Sequence, residues 1–246
     1  RAVEPESPAT TTKGARAMKA LVTGAEGFVG RHLTAHLEAN GDTVIGVDRA
    51  GGPDLLDAAG IRELILDTKP DAVYHLGGYS DVGGSWSAPH DTFRVNADGT
   101  LNVLLASVEA QVGRVLVISS ADVYGRVTLG ELPLTEESPL RPVSPYAASK
   151  IAADYLALQA WLGYGLEVIR VRAFNHLGPG QSERFVAPAI AARIARNEAD
   201  GSDVVPVGNL DPRRDLTDET TISAVADAVG DQTRLHLLAA LTEADS

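Results

Sequence analysis

A tyrosine and a lysine four residues apart are the residues of this sequence best suited to chemistry. Tyr146 and Lys150 lie in the stretch YAASK, which follows the loop-like run at 138–145. If the stretch is helical, the two side chains share a face, because positions i and i+4 are neighbours on a helix. A phenol titrates near ~10 and a nearby cation favours the phenolate, so the pair could exchange a proton with a substrate oxygen. The alternative is an ordinary amphipathic helix with a buried ring and an amine that reaches solvent.

Three glycines form a second candidate site near the start of the chain. Gly24, Gly27 and Gly30 lie in TGAEGFVG, after the apolar stretch KALVT at 19–23 and before a helical pattern that begins at Phe28. A tight turn of this kind lets backbone N–H groups and a helix N-terminus face a pyrophosphate. The alternative is a purely structural glycine turn. The context of strand, turn and helix favours a dinucleotide-binding loop.

The end of the second predicted strand bears on the choice of dinucleotide. Asp48 follows TVIGV and is placed to accept hydrogen bonds from the ribose hydroxyls of NAD. Arg49 could instead hold a 2′-phosphate, which Asp48 would repel. We therefore expect NAD as the cofactor, with NADP as the alternative.

The elements that must position these groups alternate between short apolar strands and longer helices. This alternation predicts an α/β fold with a doubly wound parallel sheet of the Rossmann type, covered on both faces. The predicted strands are 19–23, 43–48, 71–76, 114–120 and 166–174, and the predicted helices are 28–40, 58–68, a long one within 88–112, and 145–163.

The rhythm of strand and helix breaks after Phe174. A helix at 185–199, a short strand at 204–208 and a polar loop at 211–215 follow. We expect a flexible leader at 1–17, a nucleotide-binding domain at 18–174 and a small substrate-binding cap at 175–246.

Charge and composition argue against several classes of function. The net charge of −12 disfavours nucleic acid and anionic membranes as partners, although a local basic site could still bind a small phosphorylated ligand. The absence of cysteine excludes disulfides, cysteine nucleophiles and thiolate metal sites. No run has transmembrane length, and the first residues lack the apolar core of a signal peptide, so we expect a cytoplasmic protein. No spacing of acids and histidines predicts a metal site.

In their order along the chain, these motifs resemble the extended short-chain dehydrogenase/reductase family over roughly residues 18 to 218. HLGG stands where the family usually has HLAA, which is a small-residue change. The matching motifs are TGAEGFVG, VDR, DL at 54–55, HLGG at 75–78, VNADGT at 95–100, SSADVYG at 119–125, YAASK, and FNHLGPG at 174–180.

The resemblance implies a role for each candidate residue. Tyr146 would act as general acid or base, Lys150 would lower its pKa and hold the nicotinamide ribose, and Ser120 would hydrogen-bond the same substrate oxygen. Asn96 would support the site or make a helix-packing hydrogen bond, and His75 would be structural. The implied cofactor contacts are Gly24, Gly27, Phe28, Val29, Gly30, Asp48, Arg49, Asp54, Leu55, Leu76, Gly77, Gly78, Asn96, Ser119, Tyr146, Lys150 and Ala173.

The family mostly modifies nucleotide-activated sugars, and the run at 174–196 is similar to that of GDP-4-keto-6-deoxymannose reductases. Asp122 stands where dehydratases have a glutamate, which disfavours dehydration. Arg214 would meet the pyrophosphate of the sugar nucleotide, or else belong to a solvated turn with neighbouring acids. Asn175 and Phe185 match further substrate-side positions.

The sequence leaves other functions open. A nucleotide-sugar 4-epimerase, a 4,6-dehydratase and a weakly active dinucleotide-binding regulatory module are the alternatives to a reductase. After Asp218 the sequence departs from the family, so we expect an incomplete cap. The helix that carries Tyr146 is apolar around much of its circumference, which predicts a homodimer.

Overall fold

The chain is built around a parallel five-stranded sheet. A computed structural model describes residues 17–201, 203–207, 216–217 and 229. The strands are β1 (Lys19–Thr23), β2 (Thr43–Val47), β3 (Ala72–His75), β4 (Arg114–Ile118), β5 (Val168–Val171), β6 (Asn175–His176) and β7 (Leu216–Thr217). The α-helices are α1 (Phe28–Ala39), α2 (Ala58–Thr68), α3 (Pro89–Phe93), α4 (Gly99–Glu109), α5 (Pro145–Tyr164) and α6 (Val186–Asp200).

The strand order creates a crevice at one edge of the sheet. The order is β2-β1-β3-β4-β5 and every pair is parallel. From β1, the chain goes to β2 on one side and then to β3 on the other, so the connections diverge between β1 and β3. Ligands of open α/β sheets bind outside the carboxyl ends of the strands at such a switch point. Thr23 and His75, the last residues of β1 and β3, lie side by side there.

Side chains alternate between the two faces of the sheet, and each face has its own core. Successive residues of a strand point to opposite sides, so Leu21 and Val22 pack in different clusters. Burial of a large aliphatic side chain contributes about 1.5–3 kcal/mol to stability. One cluster includes Leu21, Val73, Val115, Ile61 and Ile65, and the other includes Val22, Tyr74, Leu116, Leu33 and Leu37.

Local signals set both ends of α5. The Ser144 side chain accepts a hydrogen bond from the Ala147 N–H at 3.1 Å, and Pro145 occupies the first turn, where its missing N–H costs nothing. Gly165 ends the helix in the left-handed conformation with a φ of 73°. With 20 residues, α5 is the longest helix of the described residues. Neither it nor any other described helix is long and apolar enough to cross a bilayer.

The predicted elements mostly match, with three differences. The predicted helix within 88–112 is divided into α3, a π-helical turn at Arg94–Asp98 and α4. β5 spans only Val168–Val171, although Glu167 and Ala173 beside it still accept hydrogen bonds from the N–H groups of Val115 and Ala121. The predicted strand at 204–208 is wrong over 204–207, which have no regular structure.

Part of the predicted domain organisation lies outside the described residues. This applies to the leader at 1–16, to the loop at 211–215 and to most of the cap after residue 207. Within the predicted cap, β6 pairs with β7 in parallel, and α6 follows β6. The domain boundary at 174, which falls between β5 and β6, stays a prediction.

Candidate active site

The loop after β1 needs glycine for reasons of space. Gly24 has a φ of 74°, in the left-handed region, and a Cβ there would lie 2.8 Å from the Gly77 nitrogen. A Cβ on Gly30 would lie 2.1 Å from the Gly24 carbonyl oxygen, so α1 could not pack so closely on the loop. Gly27 is the N-cap of α1 and has no side chain to bond the helix N–H groups. The backbone therefore forms a cradle at the N-terminus of α1 that suits a pyrophosphate.

Phe28 and Val29 are the first residues of α1. The first N–H groups of a helix have no partner within it, so these two residues place backbone donors at the cradle. The Phe28 ring packs edge-to-face on His32, with the ring centroids 5.2 Å apart. Val29 packs against the core, so the side chains anchor the turn while the backbone faces the candidate site.

Asp48 joins the end of β2 to the glycine loop. Its carboxylate accepts hydrogen bonds from the Glu26 N–H at 3.2 Å and from the Arg49 N–H at 2.8 Å. The Arg49 side chain is exposed beside it. Both residues therefore lie at the edge of the cradle, where the sequence predicted the adenosine ribose.

The loop after β3 forms the opposite wall. The Gly77 N–H donates to the Thr23 hydroxyl at 3.1 Å, and Leu76 packs against the core. A Cβ on Gly78 would lie 2.8 Å from the Asn96 Oδ1 and 3.7 Å from the Lys150 Nζ. The two glycines therefore bring the β3 loop against both the glycine loop and Lys150 of α5.

Asp54 and Leu55 lie just before α2. The Asp54 carboxylate accepts a hydrogen bond from the Leu56 N–H at 2.8 Å, and Asp54 is exposed. Leu55 packs against the core, and its carbonyl oxygen accepts a hydrogen bond from the Asn102 side chain at 2.8 Å. A Cβ on Gly77 would lie 3.2 Å from a Leu55 methyl group, so this side chain supports the β3 loop from below.

The three predicted catalytic residues come together at the carboxyl edge of β4. The Ser120 hydroxyl lies near the Tyr146 phenol and lowers its pKa by hydrogen bonding. The Lys150 Nζ lies 6.0 Å from the centroid of the Tyr146 ring and donates to the Ile118 carbonyl oxygen at 2.9 Å. Tyr146 and Lys150 are both 8% exposed. The structure thus favours a shared helix face at a site over the alternative of an amine that reaches solvent.

The protonation of this group differs from the expectation. Burial raises the pKa of Tyr146 to about 12; the hydrogen bond from Ser120 opposes the rise and the charge of Asp122 adds to it. Burial also lowers the pKa of Lys150 to about 8. The expected lowering of the Tyr146 pKa by Lys150 is therefore wrong, because removal from water is the largest cause of the shift and raises the pKa. At neutral pH the phenol keeps its proton.

The Asn96 side chain makes hydrogen bonds both to the loop after β3 and to α5. It is 2% exposed and lies in the π-helical turn. Its Oδ1 accepts the Tyr79 N–H at 2.7 Å, and its Nδ2 donates to the Tyr79 carbonyl at 3.1 Å and to the Ser149 hydroxyl at 2.8 Å. The side chain therefore packs the helices together and also ties the β3 loop to α5.

Ser119 and Ala173 hold β4 and β5 together above the sheet. The Ser119 N–H donates to the Val171 carbonyl at 2.6 Å, and its buried hydroxyl points to the Lys150 carbonyl at 3.4 Å. The Ala173 carbonyl accepts the Ala121 N–H at 2.9 Å. Both residues thus position the segment that carries Ser120, and their predicted cofactor contacts stay predictions.

The predicted substrate-side residues are spread more widely. Asp122 is exposed two residues after Ser120, and its charge acts on the Tyr146 phenol. Asn175 begins β6, and Phe185, 43% exposed, is the N-cap of α6. Arg214 lies outside the described residues, so its predicted role is not addressed by the structure.

Two groups of supporting residues were missed from the sequence. The fully buried Ser85 accepts the Tyr146 N–H at 3.3 Å, and nothing in its surroundings in the sequence indicates this. Arg172 is bonded through its Nε to the fully buried Asp154 at 2.9 Å and through its Nη1 to the Tyr124 hydroxyl at 3.1 Å. The sequence did hold a signal for the ion pair of Arg172 and Asp154. An arginine follows an apolar strand and an acid lies inside an apolar helix, and buried charges need partners.

Comparison with known proteins agrees with the fold and the motifs. The model of the NAD dependent epimerase/dehydratase family matches residues 20–229. GDP-6-deoxy-D-mannose reductase of Pseudomonas aeruginosa is 40% identical over 200 residues, which are 80% of this chain and 66% of that protein. GDP-mannose 4,6-dehydratase of Yersinia enterocolitica is 30% identical over 226 residues, which are 80% of this chain and 60% of that protein.

A solved structure supports the same relationship. The structure of RMD from Pseudomonas aeruginosa complexed with NADPH superposes with a TM-score of 0.78 at 38% identity, covering 87% of this chain and 74% of that one. The present chain spans less than two thirds of the length of the two curated relatives named above. The match nevertheless includes the glycine loop, the β3 loop and the Tyr146 helix, and by sequence and by fold the chain is a member of the NAD dependent epimerase/dehydratase family.

Proposed function

We propose that the protein is an oxidoreductase that uses a nicotinamide dinucleotide to reduce a GDP-4-keto-6-deoxyhexose at C4. The observation that carries this proposal is the buried Tyr146 phenol, with Ser120 beside it and the buried Lys150 amine 6.0 Å from the ring centroid, at the carboxyl edge of the sheet. Reduction of a ketone needs a proton donor at the carbonyl oxygen, and a phenol with a pKa of about 12 is in the donor form at neutral pH. The similarity to a GDP-sugar reductase supports the choice of substrate.

The residues present fit a dinucleotide. The cradle at Gly24 and Gly30 is space that any Cβ would fill, and the N-terminus of α1 faces it without a side-chain cap. When bound, the reduced nicotinamide supplies the hydride. Asp48 would bond the adenosine ribose and Lys150 the nicotinamide ribose.

The protein's own residues handle the proton. Ser120 orients the carbonyl oxygen of the substrate, and the Tyr146 phenol donates its proton to that oxygen as negative charge develops there. Lys150 lies behind the ring with its ammonium on the Ile118 carbonyl, where a positive charge stabilises the phenolate that remains. The burial that raises the phenol pKa also excludes the water that could reprotonate or screen the site.

The choice between NAD and NADP depends on two neighbouring residues. The Asp48 carboxylate accepts hydrogen bonds from the backbone N–H groups of Glu26 and Arg49, which fix its position. From there its negative charge favours a ribose without a 2′-phosphate. The exposed Arg49 side chain is free to approach a 2′-phosphate. We propose NAD as the cofactor and NADP as the alternative, and the similar solved structure with NADPH makes the alternative worth measuring.

Dehydration is the second candidate, because a 4,6-dehydratase is among the relatives and a carboxylate, although a shorter one, stands at position 122. The aspartate side chain is one methylene shorter than the family glutamate. Its charge also raises the pKa of Tyr146, so the phenol holds its proton at neutral pH, whereas a dehydratase would first need a base for the C4 hydroxyl proton while the oxidised nicotinamide takes the hydride. We therefore rank reduction first.

We also propose a homodimer formed through α5. Three large side chains near its C-terminal end are exposed, namely Trp161 at 41%, Leu162 at 69% and Tyr164 at 55%. Exposed apolar surface of this kind is typical of an interface. Light scattering of wild type and of Leu162→Glu tests this, with a dimeric mass expected for wild type and a monomeric mass for the variant. A monomeric wild type would contradict the proposal.

The decisive test follows nicotinamide absorbance with NADH and NADPH against a panel of 4-keto-6-deoxy nucleotide sugars. We expect the reduced cofactor to be consumed with the GDP sugar. A flat trace across the panel would overturn the reductase. Conversion of GDP-mannose to a keto sugar without net oxidation would identify a dehydratase, and interconversion of C4 epimers would identify an epimerase.

A further inference from the structure

A buried histidine between two threonines connects the two halves of the candidate site. His75 ends β3 and is 3% exposed. Its Nδ1 lies 2.8 Å from the Thr23 hydroxyl and its Nε2 lies 3.0 Å from the Thr100 hydroxyl. Burial, with the charge of Lys150 as a second cause, lowers its pKa to about 3, so the ring is neutral. It has no place in the proton transfer assigned to Tyr146 and Ser120.

The direction of each hydrogen bond around this ring is determined by its neighbours. The Thr100 hydroxyl lies 2.6 Å from the Asn96 carbonyl oxygen, which can only accept. Thr100 therefore donates there and accepts from the His75 Nε2–H. The remaining ring nitrogen, Nδ1, must then accept from Thr23, whose oxygen in turn accepts the Gly77 N–H at 3.1 Å. Every donor in this chain has one acceptor, and only a neutral imidazole fits it.

The chain continues from Asn96 to the catalytic helix. The Asn96 side chain donates to the Ser149 hydroxyl at 2.8 Å, and Ser149 donates to the Tyr146 carbonyl at 2.7 Å. The same amide holds the backbone of Tyr79 at both its N–H and its carbonyl. A continuous buried network thus runs from the end of β1, through His75, to the first turn of α5.

Each end of the network holds a part of the proposed site. At one end, Gly77 lies against Gly24, since a Cβ on Gly24 would be 2.8 Å from the Gly77 nitrogen. At the other end, the backbone of Tyr146 is bonded from both sides, by Ser149 and by Ser85. The network therefore sets how far the dinucleotide cradle stands from the phenol.

We propose that His75 is a positioning residue, which holds the loop at 76–79 and the Tyr146 helix in register through Thr23, Thr100 and Asn96. This role rests on the proposed function, because it concerns the same site. The buried His75 ring is hydrogen-bonded to Thr23 and Thr100. It acts by keeping two hydroxyls oriented, and a side chain with a single polar atom could not satisfy both. Loss of the network would let the loop shift, which would weaken the binding of the dinucleotide and misplace it against Tyr146.

The test compares variants of two residues of α4, Thr100 and Ser107, with a variant of His75. Thr100→Val removes the network hydroxyl and keeps the shape, whereas Thr100→Ser keeps the hydroxyl. Ser107→Ala is the matched control, since Ser107 is fully buried on α4 and donates to the i−4 carbonyl at 2.7 Å, as Thr100 does. His75→Phe removes both ring nitrogens. The readouts are the Kd of NADH and NADPH by fluorescence, amide hydrogen exchange of segments 76–80 and 146–150, and kcat and KM for the sugar.

For Thr100→Val and His75→Phe we expect about a five- to tenfold rise in Kd, faster exchange in both segments and a similar fall in kcat, with little change in the KM of the sugar. Thr100→Ser should behave as wild type, and Ser107→Ala should lose stability without a change in Kd or kcat. If His75→Phe fails to fold, Thr100→Val decides. Wild-type Kd and exchange in folded Thr100→Val would overturn the proposal. A wild type that binds the dinucleotide but reduces no sugar would refute the proposed reaction, while Kd and exchange would still test His75.

Discussion

The two halves of the candidate site are built in different ways. The dinucleotide half, around Gly24 and Gly30, is made of backbone. Its shape requires glycine at these positions, because a Cβ would clash with neighbouring backbone atoms. The catalytic half, around Tyr146 and Lys150, is made of buried side chains whose protonation depends on their surroundings. The first half depends on local geometry and the second on distant contacts, so substitutions should affect them differently.

The largest effect is expected from removal of the phenol. Tyr146→Phe keeps the ring and its packing but loses the proton donor, so kcat should fall by about 10²–10⁴-fold with little change in the dinucleotide Kd. Steady-state kinetics and fluorescence titration measure the two quantities. Tyr155→Phe is the control, because this tyrosine of the same helix is 53% exposed. A Tyr146→Phe variant with wild-type kcat would exclude Tyr146 as the acid.

A pH effect on stability should arise from Lys150. Its pKa is lowered from 10.5 to about 8 in the folded protein, so between these values the unfolded state binds more protons. The free energy of unfolding of wild type should therefore rise with pH across this window, by up to about 3 kcal/mol relative to Lys150→Met. Urea unfolding at about pH 7.5, 9 and 10, which covers most of the range between the two pKa values of Lys150, measures the difference.

The matched variant for this comparison is Lys19→Met, at an exposed lysine of β1. It should show no comparable trend against wild type. Parallel pH profiles of wild type and Lys150→Met would mean that Lys150 keeps its ordinary pKa and is hydrated in the folded protein.

A smaller effect on stability, confined to the dinucleotide half, is expected from Gly30→Ala. The new Cβ would meet the Gly24 carbonyl oxygen at 2.1 Å, so α1 must move away from the loop. We expect a loss of about 1–3 kcal/mol in the free energy of unfolding and a weaker dinucleotide Kd. Gly130→Ala, where a Cβ meets nothing within 4 Å, is the control. Equal stability of both variants would show that the loop adapts.

The smallest effect concerns cofactor choice. Asp48→Asn removes the charge that repels a 2′-phosphate, and the ratio of the NADPH Kd to the NADH Kd should fall by about tenfold, equivalent to 1.4 kcal/mol. Arg49→Ala should move the ratio the other way if Arg49 holds the phosphate. Fluorescence titration of both dinucleotides gives the ratios. An unchanged ratio in both variants would place the selection elsewhere.

Local patterns predicted most of the elements and the dinucleotide half. KALVT followed by glycines three residues apart was enough for β1, the turn and α1, because such a turn depends on φ values and on space within a few residues. The caps of α5 at Ser144 and Gly165 are also local signals, although the predicted helix at 145–163 did not use them. The predicted strand at 204–208 failed because a short apolar run carries no information about a pairing partner.

The sequence by itself determined which groups could carry the chemistry and the order of the α/β elements with their approximate bounds, since spacing and turn residues act within a few positions. Only the tertiary structure decided that the Tyr146 phenol keeps its proton, because burial is a property of the whole packed core. It also decided that Asn96 ties the loop after β3 to α5, and that His75 links β1 to α4, since these contacts join residues 17 to 53 positions apart. Distances of that kind arise only when distant segments fold together.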